Sequence, residues 1–324
     1  MRLWVVLIAA GCAAFAQTQD RLVFPGGKGA GAGKRIVLVS GDDEYRSEQA
    51  LPELAKILSL RQGFDTTVLF EIDPATGEIA PDQHHNIPGL ETLDTADLVV
   101  LLIRFRDLPD AQMKHIVDYV EAGKPIVALR TATHGFDLKS SPTYRRWSWN
   151  SKEWDGGFGR QVLGETWIDH HGRHKVQSTR AMTAPGQAGN PILRGIADGA
   201  IWVPTDVYRV RLPMAPGIQP LLMGAVLESM DPDSAPVKGP QNDPMMPVAW
   251  TKEYRGGRVF TTTMGSAQDM LNEGFRRLVV NACYWALGMD VPQKADVRIA
   301  GPYQPLPFGF GGYRKGLRVA DLER

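Results

Sequence analysis

The chain of 324 residues carries 36 Lys and Arg against 36 Asp and Glu, so its formal net charge at pH 7 is zero. Hydrophobic residues make up 43% and charged residues 22%, which is typical of a folded globular protein and excludes a disordered or fibrous chain. Because there is no basic excess to neutralise a phosphate backbone, we expect no nucleic-acid partner.

The first 16 residues have the pattern of a secretory signal peptide. Arg2 precedes the apolar run Leu3–Ala14, and Ala14-Phe15-Ala16 is a small-x-small cleavage site. The run is shorter than the ~20 residues of a spanning helix, so we expect export to the periplasm or the medium and no membrane span. A weaker alternative is a lipobox-like Ala9-Ala10-Gly11-Cys12, which would make Cys12 a lipid anchor.

Residues 17–34 are glycine-rich and end at Lys34. A phosphate-binding Walker loop follows a strand and carries Ser or Thr after its lysine, whereas here Arg35 follows and the first apolar run comes afterwards. The sequence therefore predicts a flexible leader over 17–34.

From residue 35 onward, apolar runs alternate with amphipathic segments. The pattern predicts strands over 35–40, 64–72, 96–103 and 124–129, and helices over 49–60 and 110–122. The runs at 96–103 and 124–129 are continuous, as expected of strands buried on both faces. Such alternation indicates a parallel sheet with helices on both faces.

The second half of the chain is less regular. Residues 130–245 are rich in Trp, Gly, Pro and His and are predicted to form a loop-rich insert. Two strands, 247–254 and 258–264, and a helix over 270–287 then complete a domain that we place at 35–290. Residues 291–324 are rich in Pro, Gly and aromatic residues and are predicted to drape over the domain as an extended tail.

Polar segments follow four of the predicted strands at their carboxyl ends, where open α/β sheets bind their ligands. These segments are Asp42–Arg46, Arg104–Asp107, Arg130–His134 and Gly265–Asp269. Arginine and histidine directly after fully apolar strands are costly to bury without a purpose. The sequence therefore predicts a functional cleft at this edge of the sheet.

Within this cleft, His134 is the candidate proton shuttle, because the ordinary pKa of histidine suits proton transfer at neutral pH. Asp42 or Glu44 would orient the substrate or act as the partner acid. Ser266 lacks the Gly-x-Ser-x-Gly context of a nucleophile elbow, so a helix-capping role is favoured over a hydrolase nucleophile. The candidate substrate-binding residues at the strand ends are Tyr45, Arg46, Arg104, Arg130, Thr131 and Ser266.

Three of the seven histidines, His170, His171 and His174, lie within five residues. His170 and His174 can converge whether the segment is a strand or a helix. Three interpretations stay open: His170 and His171 contact a sugar, His170 and His174 bind a divalent metal such as zinc, or the segment is a solvated loop. A metal would need a further ligand, for which His134 and Asp169 are the candidates.

Five tryptophans lie in the irregular middle of the chain, and they fit two roles equally well. They would stack on the apolar faces of a sugar, or they would fill the core of a loop-rich insert. The five are Trp147, Trp149, Trp154, Trp167 and Trp202.

Several segments, in order, resemble the ThuA-like (trehalose utilisation) domain family, and more specifically its exported bacterial members. They are Gly41–Glu48, Arg104–Pro109, Leu129–Phe136, His170–Gly172, Pro247–Thr251 and Gly257–Phe260. The resemblance implies a flavodoxin-like sheet similar to that of class I glutamine amidotransferases, and a role in disaccharide or keto-sugar catabolism.

The resemblance does not imply glutaminase chemistry, because Arg130-Thr131 stand where the strand-end cysteine nucleophile would be. Relatives commonly end the last strand in Gly-His, whereas this chain has Gly265-Ser266. We expect an exported protein that acts on a glycoside or keto-sugar by acid–base chemistry, with a small-molecule carbohydrate as partner. The alternative is a non-catalytic carbohydrate-binding module, and the sequence leaves open whether the protein is an enzyme.

Overall fold

The computed structural model describes residues 19–322, so the signal peptide expected at 1–16 lies outside the described residues. Across residues 19–322, no helix is both long enough and apolar enough to span a membrane. The alternation of strands and helices predicted for the first half of the chain is present. In chain order these elements are β1 (Arg21–Phe24), β2 (Arg35–Gly41), α1 (Ser47–Gln62), β3 (Asp65–Leu69), β4 (Leu98–Ile103), α2 (Asp110–Glu121) and β5 (Ile126–Leu129).

The second half contributes more strands than its irregular sequence predicts. The elements are β6 (Thr179–Thr183), β7 (Ile201–Val203), β8 (Gln219–Val226), β9 (Met246–Tyr254), β10 (Gly257–Thr262) and α3 (Glu273–Ala286). Three of these strands, β6, β7 and β8, lie inside the segment expected to be a loop-rich insert. They are short or interrupted by a bulge, so an alternating hydrophobic pattern is too brief to stand out.

Within the described residues the strands form a single sheet of ten in the order β1-β3-β2-β4-β5-β10-β9-β8-β6-β7. The central strands β3, β2, β4, β5 and β10 are parallel, as the predicted α/β fold requires. The remaining pairs are antiparallel, so the sheet is mixed. β1 pairs with β3, so residues 21–24 belong to the sheet rather than to a flexible leader.

Two apolar layers hold the helices on opposite faces of the sheet. All six residues of β4 are buried, and alternate residues contribute to each layer. One layer packs α1 and α3 against the sheet, and the other packs α2 together with the segment that contains Trp147 and Phe158. The continuous apolar runs are therefore explained by burial on both faces.

The last part of the chain runs over α1 and the strand ends without forming a strand. The backbone N–H of Ala300 donates to Glu53 Oε1 at 2.7 Å, and that of Leu306 donates to Gln49 Oε1 at 2.8 Å. The hydroxyl of Tyr303 donates to the carbonyl of Ala267, also at 2.8 Å. These bonds bring residues 300–313 across the carboxyl edge of the parallel strands.

Candidate active site

The carboxyl ends of β2, β4, β5 and β10 meet at one edge, and loops from the antiparallel half of the sheet pack against it. A 3-10 helix, Arg130–His134, directly follows β5. Two loop segments contact this helix, and an isolated bridge between His170 and Tyr208 joins them. The site is therefore built from both halves of the chain.

A buried carboxylate, Asp206, organises the site. Its Oδ2 lies 2.7 Å from Nδ1 of His170, and its Oδ1 lies 3.2 Å from Nδ1 of His174. Arg130 Nη2 donates to the same Oδ1 at 3.0 Å. Burial alone would raise the pKa of Asp206, but the two histidine hydrogen bonds and the charge of Arg130 outweigh it and hold that pKa well below its ordinary value. Asp206 is therefore ionised.

Arg130 forms a buried ion pair with this carboxylate. It has a left-handed backbone with φ of 39°, and its side chain is fully buried between the rings of Tyr45 and Tyr208, 4.1 and 4.3 Å from their centroids. Its guanidinium also donates to the carbonyls of Asp206 at 3.1 Å and Thr263 at 2.7 Å, and to the Tyr45 hydroxyl at 3.0 Å. The structure thus gives Arg130 a positioning role, where the sequence predicted a substrate contact.

His174 lies between two carboxylates. Its Nε2 is 3.1 Å from Glu44 Oε1, and its Nδ1 contacts Asp206. These hydrogen bonds outweigh burial and raise the pKa of His174 to about 9. At neutral pH the ring is therefore an imidazolium whose two nitrogens are both engaged.

His170 differs from His174 in the surroundings of its second nitrogen. Its Nδ1 is held by Asp206, but within residues 19–322 no protein group forms a hydrogen bond with its Nε2. The side chain is 34% exposed, and its ring lies 5.9 Å from that of Trp167 and 5.4 Å from that of Tyr208. A carboxylate that fixes one nitrogen of an imidazole leaves the other free to exchange a proton.

His134, the predicted proton shuttle, is buried and its ring lies among aromatic rings. Phe105, Trp167 and Tyr208 surround it at centroid distances of 4.9, 5.3 and 6.0 Å, and the Thr133 hydroxyl lies 3.2 Å from its Nδ1. Burial, followed by the positive charges of Arg104 and Arg130, holds the pKa of His134 well below its ordinary value. No hydrogen bond joins this neutral ring to Asp42 or Glu44, so the predicted acid–base partnership is not formed.

Asp42 shapes the turn between β2 and α1. Its carboxylate accepts hydrogen bonds from the backbone of Glu44 at 2.7 Å and of Tyr45 at 2.5 Å, and from the Thr131 hydroxyl. Burial outweighs these bonds and raises the pKa of Asp42. Asp42 and Thr131 are therefore buried hydrogen-bond partners of each other, rather than groups that face a ligand.

The other predicted arginines, Arg46 and Arg104, have different surroundings. Arg46 is buried and donates to backbone carbonyls of Pro307 and Gly309, so it anchors residues 300–313. Arg104 donates to Asp43 Oδ1 at 3.1 Å, and its side chain stays 17% exposed beside the rings of Phe105 and Phe310. Of the predicted arginines, Arg104 is thus the one placed to meet a ligand.

The side chains of two further candidates, His171 and Ser266, form local structural hydrogen bonds. Nε2 of His171 lies 2.9 Å from the carbonyl of Gln241. The Ser266 hydroxyl donates to Asp269 Oδ1 at 2.8 Å and accepts from the backbone of Asp269 at 3.1 Å, which is a local turn. Among the described residues, neither side chain forms a hydrogen bond with Asp206, His170 or His174.

The family model for ThuA, described as trehalose utilisation, matches residues 35–286. The chain belongs to the ThuA family. Solved ThuA-like structures share the fold: one from Bacteroides uniformis has a TM-score of 0.52 at 14% identity, covering 82% of this chain and 96% of that one. Another, from Parabacteroides merdae, has a TM-score of 0.50 at 14% identity, covering 81% and 92%. Among curated proteins, none matches the chain.

In this ThuA-family chain, the matched region contains all four residues of the charged cluster, which are Glu44, His170, His174 and Asp206. Residues 300–313, which cover the strand ends, lie beyond the match. Within residues 19–322 the one cysteine, Cys283, is buried in α3, where burial raises its pKa. The described strand ends therefore carry no thiol nucleophile.

Asp206 and Tyr208 are the site residues that the sequence did not reveal. They follow the strand β7, whose apolar run of three residues is too short for a periodic signal, and no histidine lies beside them in the sequence. Only the antiparallel pairing of β6 with β7 and β8 brings them to the edge of the parallel strands.

Proposed function

We propose that this ThuA-family protein catalyses proton transfer on a sugar, with His170 as the acid–base group and Asp206 as the carboxylate that orients it. The observation that carries the proposal is the 2.7 Å contact between Asp206 Oδ2 and His170 Nδ1, which leaves Nε2 without a protein partner among residues 19–322. In this proposal the neutral ring of His134 lines the site and takes no part in the proton transfer.

The step assigned to His170 is removal of a proton from a carbon next to a ketone. Nε2 takes the proton, the electron pair of the C–H bond passes to the enolate, and the ketone oxygen becomes an oxyanion; the same nitrogen then returns the proton. Asp206 stabilises the imidazolium that forms, and Arg104 Nε lies 3.7 Å from Oε2 of Glu44, a member of the charged cluster. Such positioned proton transfer typically contributes about 10²–10⁴-fold to rate.

A keto-sugar fits these residues better than direct hydrolysis of a glycoside. Glycoside hydrolysis ordinarily needs two carboxyl groups that act on opposite sides of the bond. Here Asp206 and Glu44 both contact the same His174 ring, so neither is free for that role. Abstraction of a proton beside a ketone requires one base, which His170 supplies. The signal-peptide pattern would place this activity outside the cytoplasm.

Steady-state kinetics on trehalose and its keto derivatives, followed by NMR, test the proposal. We expect His170→Gln to lower kcat by about 10²-fold or more, since the base is lost. The matched control is His115→Gln, because His115 also contacts a carboxylate, Asp94, but lies on the surface of α2. Unchanged turnover in His170→Gln would contradict the proposal. Saturable binding without any product would instead support the binding-module alternative.

A divalent metal such as zinc is a second candidate, favoured by one observation. Ligand atoms of His170, His174 and Asp206 lie within 4.8 Å of one another, and these residue types suit zinc. A bound ion would polarise a sugar oxygen. It would have to displace the proton on His174 and compete with Arg130 for Asp206. Elemental analysis of untagged protein decides between the two candidates. One equivalent of metal in wild type that is lost in His170→Gln would support the metal site. Protein that holds no metal even after reconstitution would exclude it.

A further inference from the structure

A strap formed by residues 300–313 covers part of the candidate active site. The Phe308 ring lies 5.7 Å from the His174 ring between centroids. The centroid of the Phe310 ring lies 4.8 Å from Cζ of Arg104. His174 belongs to the charged cluster, and Arg104 is the arginine placed to meet a ligand. Displacement of the strap would therefore uncover both residues.

Hydrogen bonds over a cleft hold this strap in place. The backbone N–H of Gly309 donates to the Glu44 carbonyl at 2.7 Å, and that of Phe308 donates to Gln268 Oε1 at 3.2 Å. These bonds add to those between the strap and α1 described above. A cleft of about 360 Å³ lies between α1 and the strap. A segment held mainly by hydrogen bonds over a cleft opens at a lower free-energy cost than an element packed in the core.

Glu48, in the first turn of α1, lines this cleft without a hydrogen-bond partner. The residue is 2% exposed, and among residues 19–322 no neighbour donates a hydrogen bond to either of its carboxylate oxygens. Buried carboxylates are ordinarily hydrogen-bonded, because an unpaired charge is costly to remove from water. The next glutamate of α1, Glu53, follows that rule, since it accepts from the backbone N–H of Ala300. The unpaired carboxylate of Glu48 therefore needs a separate explanation.

The charged and titratable groups that line the cleft or act on Glu48 come from three segments. These groups are Asp42 and Arg46 before α1, Glu53 and Lys56 on α1, and Tyr303, Tyr313 and Arg314 in or beside the strap. Burial is the largest influence on Glu48 and raises its pKa to about 7, while Arg46 opposes that rise and Asp42 adds to it. Beneath the docked strap, Glu48 is therefore neutral in acidic solution and ionises as the pH rises through about 7.

We propose that Glu48 is a pH-sensitive switch whose ionisation weakens docking of the strap and so opens the candidate active site. The neutral carboxyl is tolerated beneath the strap, whereas the charged form gains water at both oxygens only when the strap is released. Because the docked state raises the pKa of Glu48 above its ordinary 4.5, docking is strongest below pH 4.5, weakens as the pH rises towards 7 and levels off above it. This inference concerns access to the site and holds whether or not His170 is the base.

Hydrogen–deuterium exchange at pH 5 and pH 8, followed by mass spectrometry, tests the switch. The reporters are the backbone amides of Leu306, Phe308 and Gly309, each of which donates a hydrogen bond in the docked state. After correction for the intrinsic exchange rate, we expect wild-type protein to lose about 10- to 100-fold of its protection at these amides from pH 5 to pH 8. The difference between a pKa of 4.5 and one of about 7 sets the upper end of that range. Amides of the buried strand β4 should keep their protection and serve as the internal reference.

Variants of Glu48 separate its charge from other effects of pH. Glu48→Gln should keep the same strap protection at pH 5 and pH 8, and Glu48→Met, which is also uncharged and unbranched, should do the same if Glu48→Gln disturbs folding. The control Glu253→Gln, at an exposed position of β9, should follow wild type. Wild-type protein whose strap protection does not change with pH, or Glu48 variants that lose as much protection as wild type, would overturn the switch. Because the readout is exchange and not turnover, this proposal and the proton transfer at His170 fail independently.

Discussion

His170 and His174 lie four residues apart and both contact Asp206, yet their second nitrogens have different surroundings. Glu44 engages that of His174, whereas that of His170 has no protein partner among the described residues. His174 is consequently a fixed positive charge, whereas His170 is the acid–base group of the proposed function. Identical residue types thus acquire two roles from their neighbours alone.

The charge on His174 predicts a pH dependence of stability. Its folded pKa of about 9 lies above the ordinary 6.5, so its contribution is complete below pH 6.5 and is lost as the pH rises towards 9. Because the ring is partly exposed, we expect a loss of about 1–2 kcal/mol in the free energy of unfolding over that interval. Denaturant unfolding at several pH values measures it. His174→Gln should remove this part of the slope, and an equally steep slope in that variant would contradict the assignment.

At the scale of elements, the helix that carries Arg130 and His134 depends on a close approach by the π-helical turn Gly159–Leu163. A Cβ built on Gly159 would lie 2.0 Å from the carbonyl oxygen of Thr133, so only glycine fits without a shift of backbone. The π-helical turn therefore packs directly against the 3-10 helix that carries Arg130, the residue that pairs with Asp206.

Gly159→Ala should accordingly destabilise the protein by about 1–3 kcal/mol, the usual cost of forcing extra atoms into a packed interior. The matched control is Gly189→Ala, since a Cβ at Gly189 meets no atom within 4 Å. Thermal unfolding of both variants checks the comparison. Equal Tm values would show that the close approach carries no cost.

The sequence predicted some elements well for identifiable reasons. β4 and β5 were predicted because a strand buried on both faces leaves a continuous apolar run, which is confirmed. β7 was missed because three residues are too few for a periodic signal. Asp206, which follows β7, was missed with it. Arg130 was recognised as a site residue, but its burial between two tyrosines depends on Tyr208, which reaches it through the same long-range pairing.

At the scale of the whole molecule, the mixed sheet places two kinds of structure at one edge. The parallel half supplies Glu44, Arg104 and Arg130 at strand ends, and the segments of the antiparallel half supply His170 and Asp206. The antiparallel half contains the proposed base and Asp206, and the parallel half contributes Arg130, which pairs with Asp206. This arrangement explains why strand-end reasoning located the edge but did not reveal Asp206.

The most direct test of the account is exchange of substrate hydrogen with solvent. Protein and a keto derivative of trehalose are mixed in D₂O, and proton NMR follows the C–H next to the ketone. The account predicts that wild-type protein replaces this hydrogen with deuterium and that His170→Gln does so about 10²-fold more slowly, while His115→Gln matches wild type. Equal exchange in wild type and His170→Gln, or none in either beyond the uncatalysed rate, would contradict the assignment of His170 as the acid–base group.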